Sequence, residues 1–255
     1  MACQNNVLNM EDIKKTLEWY QKMGVDEVIS EKPGQLSIAV KSVTEKSNFI
    51  HNSDLSLQAR AIADSCGSLS ELREAIEKFE GLSIKKTANN TVFSDGNSNA
   101  EVMAIGEAPG ANEDEEGIPF CGMSGRLLDQ ILASINLSRQ NNLYITNSIF
   151  WRPPGNRKPT TEENEVCLPF VEKHIALIKP KLIILVGSTA ASALLNSTET
   201  ISRLRTQFYQ YNNRYLTQSI PTAVIFHPSY LLRQPLQKKT VWYDLLKIKK
   251  TFLEK

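Results

Sequence analysis

Cysteine is scarce in this 255-residue chain, and the four present do not cluster: Cys3, Cys66, Cys121 and Cys167 include no CxxC pair. That spacing predicts free thiols and excludes a disulfide scaffold. An excess of one charge is missing too. The 29 Lys and Arg residues stand against 28 Asp and Glu, and a formal net charge of +1 singles out no class of partner. Long apolar runs are absent. The longest lies near Leu182–Val186, far short of the roughly 20 residues that span a bilayer, so no membrane partner is expected. The opening residues, MACQNNVLNMEDIKK, carry no apolar h-region, so no secretory signal is expected and a cytoplasmic location is. The glycine-rich segment GEAPG lacks GxGxxG spacing, and no Walker lysine follows it. A dinucleotide fingerprint and a P-loop are thereby excluded.

What is present begins with enough apolar residues, 41% of the chain, to build a core. Four short apolar segments read as buried strands: Val102–Ile105, Leu143–Thr146, Leu182–Val186 and Ala223–Phe226. Helical patterns fill the gaps. Ser124–Ile135 places Leu127, Leu128, Ile131, Leu132 and Ile135 on one stripe. Thr160–Ile178 opens with Thr160 and Glu163 at capping-box spacing, and Pro169 is expected to kink it. Ser188–Leu195 and Thr240–Phe252 complete the set. Strand–helix alternation predicts right-handed crossovers. The expected fold is a three-layer α/β/α arrangement around a four-stranded parallel sheet, with an N-terminal helical extension. In that extension, residues 1–75, Met10–Met23 reads as an amphipathic helix, Lys32-Pro33-Gly34 as a break, and Ser68 with Glu71 as the cap of a second helix reaching Phe79. The stretch between those helices reads as a linker. The second unit is residues 76–255.

The polar residues fall where the strands end. Strand one runs into Gly106-Glu107, strand two into Asn147, strand three into Gly187-Ser188 and strand four into His227. The carboxyl edge of an open parallel sheet is where such folds bind ligands. Gly106, Pro109 and Gly110 allow a sharp turn whose amides can cradle an anion; a plain strand–helix loop would look the same. Phe120, between Pro119 and Cys121-Gly122, is either a stacking platform or a loop anchor. Asn147 can pair with a base edge or cap a strand. His227, before Pro228, can donate to a developing anion or be a half-buried structural histidine. His51 and His174 read as structural. Arg233, Lys238, Lys239, Lys247, Lys249, Lys250 and Lys255 make the tail locally basic, either a solvated face or a phosphate-facing one.

Over roughly residues 75–250, the ordered set GEAPGANED, GIPF, SGRLLD, YITN, RPPGNRKPT and HPSYLLR resembles the uracil-DNA glycosylase superfamily, and within it the family 4 branch. The resemblance implies a four-stranded parallel sheet between helices. It implies an enzyme that flips uracil out of DNA and hydrolyses its N-glycosidic bond, leaving an abasic site in base excision repair. By motif, Phe120 matches the ring on which uracil stacks, Asn147 the reader of its edge, and His227 the donor to its O2. Glu107 and Glu113 match carboxylates that orient water or stabilise an oxocarbenium-like sugar. Ala108 stands in the uracil pocket where another branch has a water-activating Asp. Leu231 matches a wedge that fills the vacated stack. Gly110, Ser124, Ser188, Ser229 and Arg233 are expected to meet DNA. The implied partner is uracil-containing DNA, and a monomer is expected.

The resemblance also implies an iron–sulfur cluster on four cysteines. In this register the ligand positions are Phe79, Leu82, Trp151 and Cys167, of which only the last is a cysteine. No cluster, no metal and no other cofactor is therefore expected, with an apolar plug in its place. Two other readings compete. One is a non-catalytic DNA-binding relative, supported by Ala108 and the missing ligands. The other is a small-anion binder using the Gly110 loop.

Overall fold

The computed structural model of the protein describes residues 52–254. The expected helix at Met10–Met23, the break at Lys32-Pro33-Gly34, Cys3 and His51 lie outside the described residues.

Helix α1 (Asn52–Ser65) and α2 (Leu69–Lys78) come first. The Ser68 hydroxyl caps α2 by accepting the Glu71 amide at 3.2 Å. The stretch read as a linker is therefore helical from residue 52. Short α3 (Ser83–Thr87) leads to β1 (Asp95–Gly96) and β2 (Val102–Gly106). After β2 follow α4 (Ala111–Glu116), α5 (Met123–Ala133) and β3 (Leu143–Asn147). A single 3-10 turn, Pro154–Asn156, precedes α6 (Thr161–Ile178) and β4 (Leu182–Val186). The rest is α7 (Ser188–Leu195), α8 (Ile201–Leu204), β5 (Tyr209–Tyr211), β6 (Ile220–Ile225), α9 (Pro228–Arg233), the turn Pro235–Gln237 and α10 (Lys238–Ile248).

The sheet order is β1-β3-β2-β4-β6-β5. Its four central strands are parallel, as the apolar runs predict. Two antiparallel edge strands, β1 and β5, add to them. Alternate residues of each central strand enter opposite layers. Met103, Ile105, Ile183, Leu185 and Val224 pack beneath α1, α2, α6 and α7. Val102, Ala104, Ile145, Ile184 and Ile225 pack beneath α5, α9 and α10. Both faces are dry, which is why the strands read as continuous apolar runs.

Helix α6 starts on the capping box the sequence announces. Thr160 Oγ1 accepts the Glu163 amide at 3.1 Å, and Glu163 accepts the Thr160 amide at 2.8 Å. Pro169 sits inside this one continuous helix. Its missing N–H frees the carbonyl four residues back, Glu165. The Ser56 hydroxyl of α1 donates to that carbonyl at 3.3 Å, and Arg60 pairs with Glu172 at 3.0 Å.

Candidate active site

The carboxyl ends of β2, β3, β4 and β6 open onto one cavity of about 790 Å³. Glu107, Phe120, Asn147 and His227, far apart in the chain, all line it. So do Ala108, Gly110, Glu113, Ser124, Ser188, Ser229 and Arg233.

Gly106 and Asn147 are register partners across β2 and β3. A Cβ on Gly106 would lie 2.4 Å from Asn147 Oδ1 and 2.4 Å from the Phe120 ring. Glycine is required there because an amide and an aromatic ring share the space above the strand end. The Asn147 side chain is 2% exposed and has no hydrogen-bond partner among the described residues. The residue lines the cavity, where its amide is free to pair with a ligand.

His227 faces Phe120 with ring centroids 5.8 Å apart. Its Nδ1 accepts the Ser229 backbone amide at 3.2 Å and lies 2.8 Å from the Ser229 hydroxyl. A backbone amide can only donate, so Nδ1 is unprotonated and the ring proton sits on Nε2. Burial lowers the His227 pKa to about 4, and nearby Arg233 adds to the shift. Near neutral pH the ring is thus an uncharged Nε2–H donor.

The two carboxylates differ in their partners. Glu113 accepts the Gly110 amide through one oxygen and the Gly122 amide through the other, both at 3.0 Å. It staples together the two ends of the loop that carries Phe120. Glu107 accepts the Thr189 hydroxyl at 2.6 Å through Oε2, and Oε1 has no partner among the described residues. Phe120 itself has φ 53°, a left-handed backbone that costs a bulky residue about 1–3 kcal/mol and persists only where its surroundings impose it.

Leu231 requires a correction. It is 0% exposed and belongs to the core beneath α9 and α10, and it does not line the cavity. Position four after His227 on a helix turns inward, so the side chain is an anchor and not a wedge. The exposed leucines of this segment are Leu232, 38% exposed, and Leu236, 90% exposed. His174 is structural. It is fully buried, stacks on Phe93 at 4.4 Å and meets the Tyr144 hydroxyl at 2.8 Å.

Sequence reasoning missed part of the wall. Asn156, Arg157 and Lys158, from the loop before α6, and Ile201 and Ser202 of α8 also line the cavity. Arg157 is tied to Glu163 by two bonds, 2.8 and 2.6 Å, which leaves the neighbouring Lys158 exposed at the rim. The RPPGNRKPT run was the available signal for the first group. No motif marks α8.

The four positions at which the resemblance implies cluster ligands also converge. Phe79, Leu82, Trp151 and Cys167 are 3%, 5%, 1% and 0% exposed, in one apolar cluster. Phe79 meets Phe170 edge-on at 5.3 Å, and the Trp151 indole donates to Thr91 Oγ1 at 2.9 Å. Burial pushes the Cys167 thiol well above its usual pKa, which disfavours the thiolate a metal needs. No group of three or more His, Cys, Asp or Glu among the described residues could hold a metal ion. The residues present do not fit a four-thiolate cluster.

An aromatic ring, an unpaired amide and a neutral imidazole thus meet at the carboxyl edge of a parallel α/β sheet. Comparison with known proteins identifies the family. The Uracil DNA glycosylase superfamily model matches residues 93–246. The Type-4 uracil-DNA glycosylase of Pyrobaculum aerophilum is 35% identical over 181 residues, 69% of this chain and 91% of that protein. Those of Saccharolobus solfataricus and Archaeoglobus fulgidus are each 36% identical, over 74% and 71% of this chain and 88% and 92% of their own lengths. The chain belongs to the uracil DNA glycosylase superfamily.

Proposed function

We propose that this protein excises uracil from DNA, hydrolysing the N-glycosidic bond of a flipped nucleotide and leaving an abasic site. The observation that carries the reading is the meeting of Phe120, Asn147 and the His227 Nε2–H in one cavity. Uracil stacks on Phe120. The Asn147 amide pairs with the base edge and separates uracil from cytosine, whose exocyclic group and N3 reverse donor and acceptor. A mismatch leaves buried polar groups unpaired, a large penalty.

As the C1′–N1 bond breaks, its electron pair moves onto the base, and His227 donates to O2 where charge builds. A neutral donor placed in advance is worth about 3–4 kcal/mol, as for a single oxyanion-hole donor. Water adds at C1′. Glu107, whose free oxygen faces the cavity, orients that water and takes its proton, while Thr189 holds the other oxygen. Glu113 acts by shaping the loop. Ala108 then needs no acidic side chain.

Lys158 and Arg233 line the cavity and are exposed. With Gly110, Ser124, Ser188 and Ser229 they face the phosphates of the flipped strand, so binding weakens as salt rises. Leu236 or Leu232 takes the wedge role that buried Leu231 does not fill. One chain supplies every group, so a monomer suffices. The reaction needs no metal or cluster, consistent with the donor set beside Cys167. No helix among the described residues is long and apolar enough to cross a membrane, and we place the protein with cytoplasmic DNA.

The test is a uracil-containing oligonucleotide incubated with the purified chain and then treated with alkali. Strand cleavage at the uracil, lost in Asn147→Ala, is the expected result. Salt-sensitive duplex binding without cleavage would instead favour a DNA-binding relative that has lost turnover.

A further inference from the structure

Arg139 lies outside the cavity, in the loop before β3, and its side chain is 12% exposed. Its guanidinium makes four hydrogen bonds. Two of its bonds go to the backbone that presents the Phe120 ring: the Pro119 carbonyl at 2.8 Å and the Phe120 carbonyl at 2.7 Å. Two more go to carboxylates, Asp95 at 2.8 Å and Asp129 at 2.9 Å. The Phe120 carbonyl is also hemmed in from α5, where a Cβ on Gly125 would lie 1.7 Å from it. The residue with the left-handed backbone is thus the one whose carbonyl is gripped. A planar fork suits that grip, because it can bond two carbonyls and two carboxylates at once; an ammonium cannot.

We propose that Arg139 is a positioning residue for base recognition: it fixes the Phe120 carbonyl and so holds the ring face open to the base, with Asp95 and Asp129 holding the guanidinium in turn. The proposal rests on reading Phe120 as the surface on which uracil stacks. The Asp95–Arg139–Asp129 bridge joins the β1 edge, α5 and the pocket loop, so this loop is held at the Pro119 and Phe120 carbonyls as well as at the Gly110 and Gly122 amides that Glu113 staples. Stacking acts on the bound base before and during bond cleavage. Loss of the grip therefore weakens binding of both the DNA and free uracil, and leaves the chemical step nearly intact.

The test is Arg139→Lys in the full chain, read by thermal melting, by KM and kcat on a uracil oligonucleotide, and by inhibition with free uracil. The expected result is a rise of about tenfold in both KM and the uracil inhibition constant, the scale of a lost base–aromatic stack, with kcat little changed. Asp129→Asn, which removes one carboxylate from a half-exposed position, should shift both constants in the same direction by less. If Arg139→Lys does not fold, Asp129→Asn decides the matter by the same two constants. A lower melting temperature with KM and uracil inhibition unchanged would show that Arg139 only stabilises the fold, and would overturn the proposal. The underlying reading fails separately, if the unaltered protein neither cleaves the oligonucleotide nor binds uracil.

Discussion

Two corners of the same sheet have opposite characters. At the carboxyl edge, polar side chains keep free valences: Asn147 unpaired, His227 held through Nδ1 with its Nε2–H free, Glu107 held by Thr189 with one open oxygen. Beside Cys167, by contrast, everything is closed. Phe79, Leu82 and Trp151 fill the space with apolar volume, and the Trp151 indole already has its partner. The contrast teaches that the groups proposed to read and release the base depend on the strand ends and their two loops. The neighbouring corner supplies packing, which hydrophobic residues can provide as well as a metal can.

The comparison breaks first at the edge. Asn147→Ala and His227→Ala should each lower kcat about 100- to 1000-fold, with near-native melting, in single-turnover excision assays. A variant that retains full turnover would remove that side chain from the chemistry. At the closed corner the effect should move from rate to stability. Trp151→Ala leaves a large void and should cost about 3–5 kcal/mol in urea unfolding, with the folded fraction still turning over at close to the native rate.

A subtler difference appears with pH. His227 is held to about 4 by burial, so kcat/KM should show no inflection near the ordinary histidine value of about 6.5. The unfolded chain takes up a proton there and the native ring does not. Stability should therefore fall as pH drops from about 6.5 towards about 4, and remain level above that window. His174, held to about 3 by burial, adds a contribution of the same sign. Thermal melts across this range check both. The smallest expected effect is none at all: protein produced with iron and sulfide in excess should carry far less than stoichiometric iron and no cluster absorption. A stoichiometric cluster would erase the contrast.

The sequence revealed the parallel core because each central strand is buried on both faces and flanked by Gly or polar residues. It did not reveal β1 or β5. Asp95–Gly96 is too short to show a pattern, and the middle residue of Tyr209–Tyr211 faces solvent. Ordered motifs placed Phe120, Asn147 and His227 in one cavity. A carried-over role failed at Leu231 because exposure depends on helix phase, which a motif does not encode. Arg139 carries no signal in the sequence for a related reason. In LSRQNN it reads as a solvated turn, and its partners Asp95, Asp129 and Phe120 meet it only through the fold.

The hydroxyl that Ser56 lends to the carbonyl freed by Pro169 has a practical side. The superfamily model matches from residue 93, yet α1 shields α6 from well upstream, burying Ala59 and Ala63 against it. Trimming the chain to its recognisable part would strip a helix from its neighbour and bare an orphan acceptor along with a greasy flank. Expression of a version cut at residue 93 should yield aggregate where the longer one stays in solution.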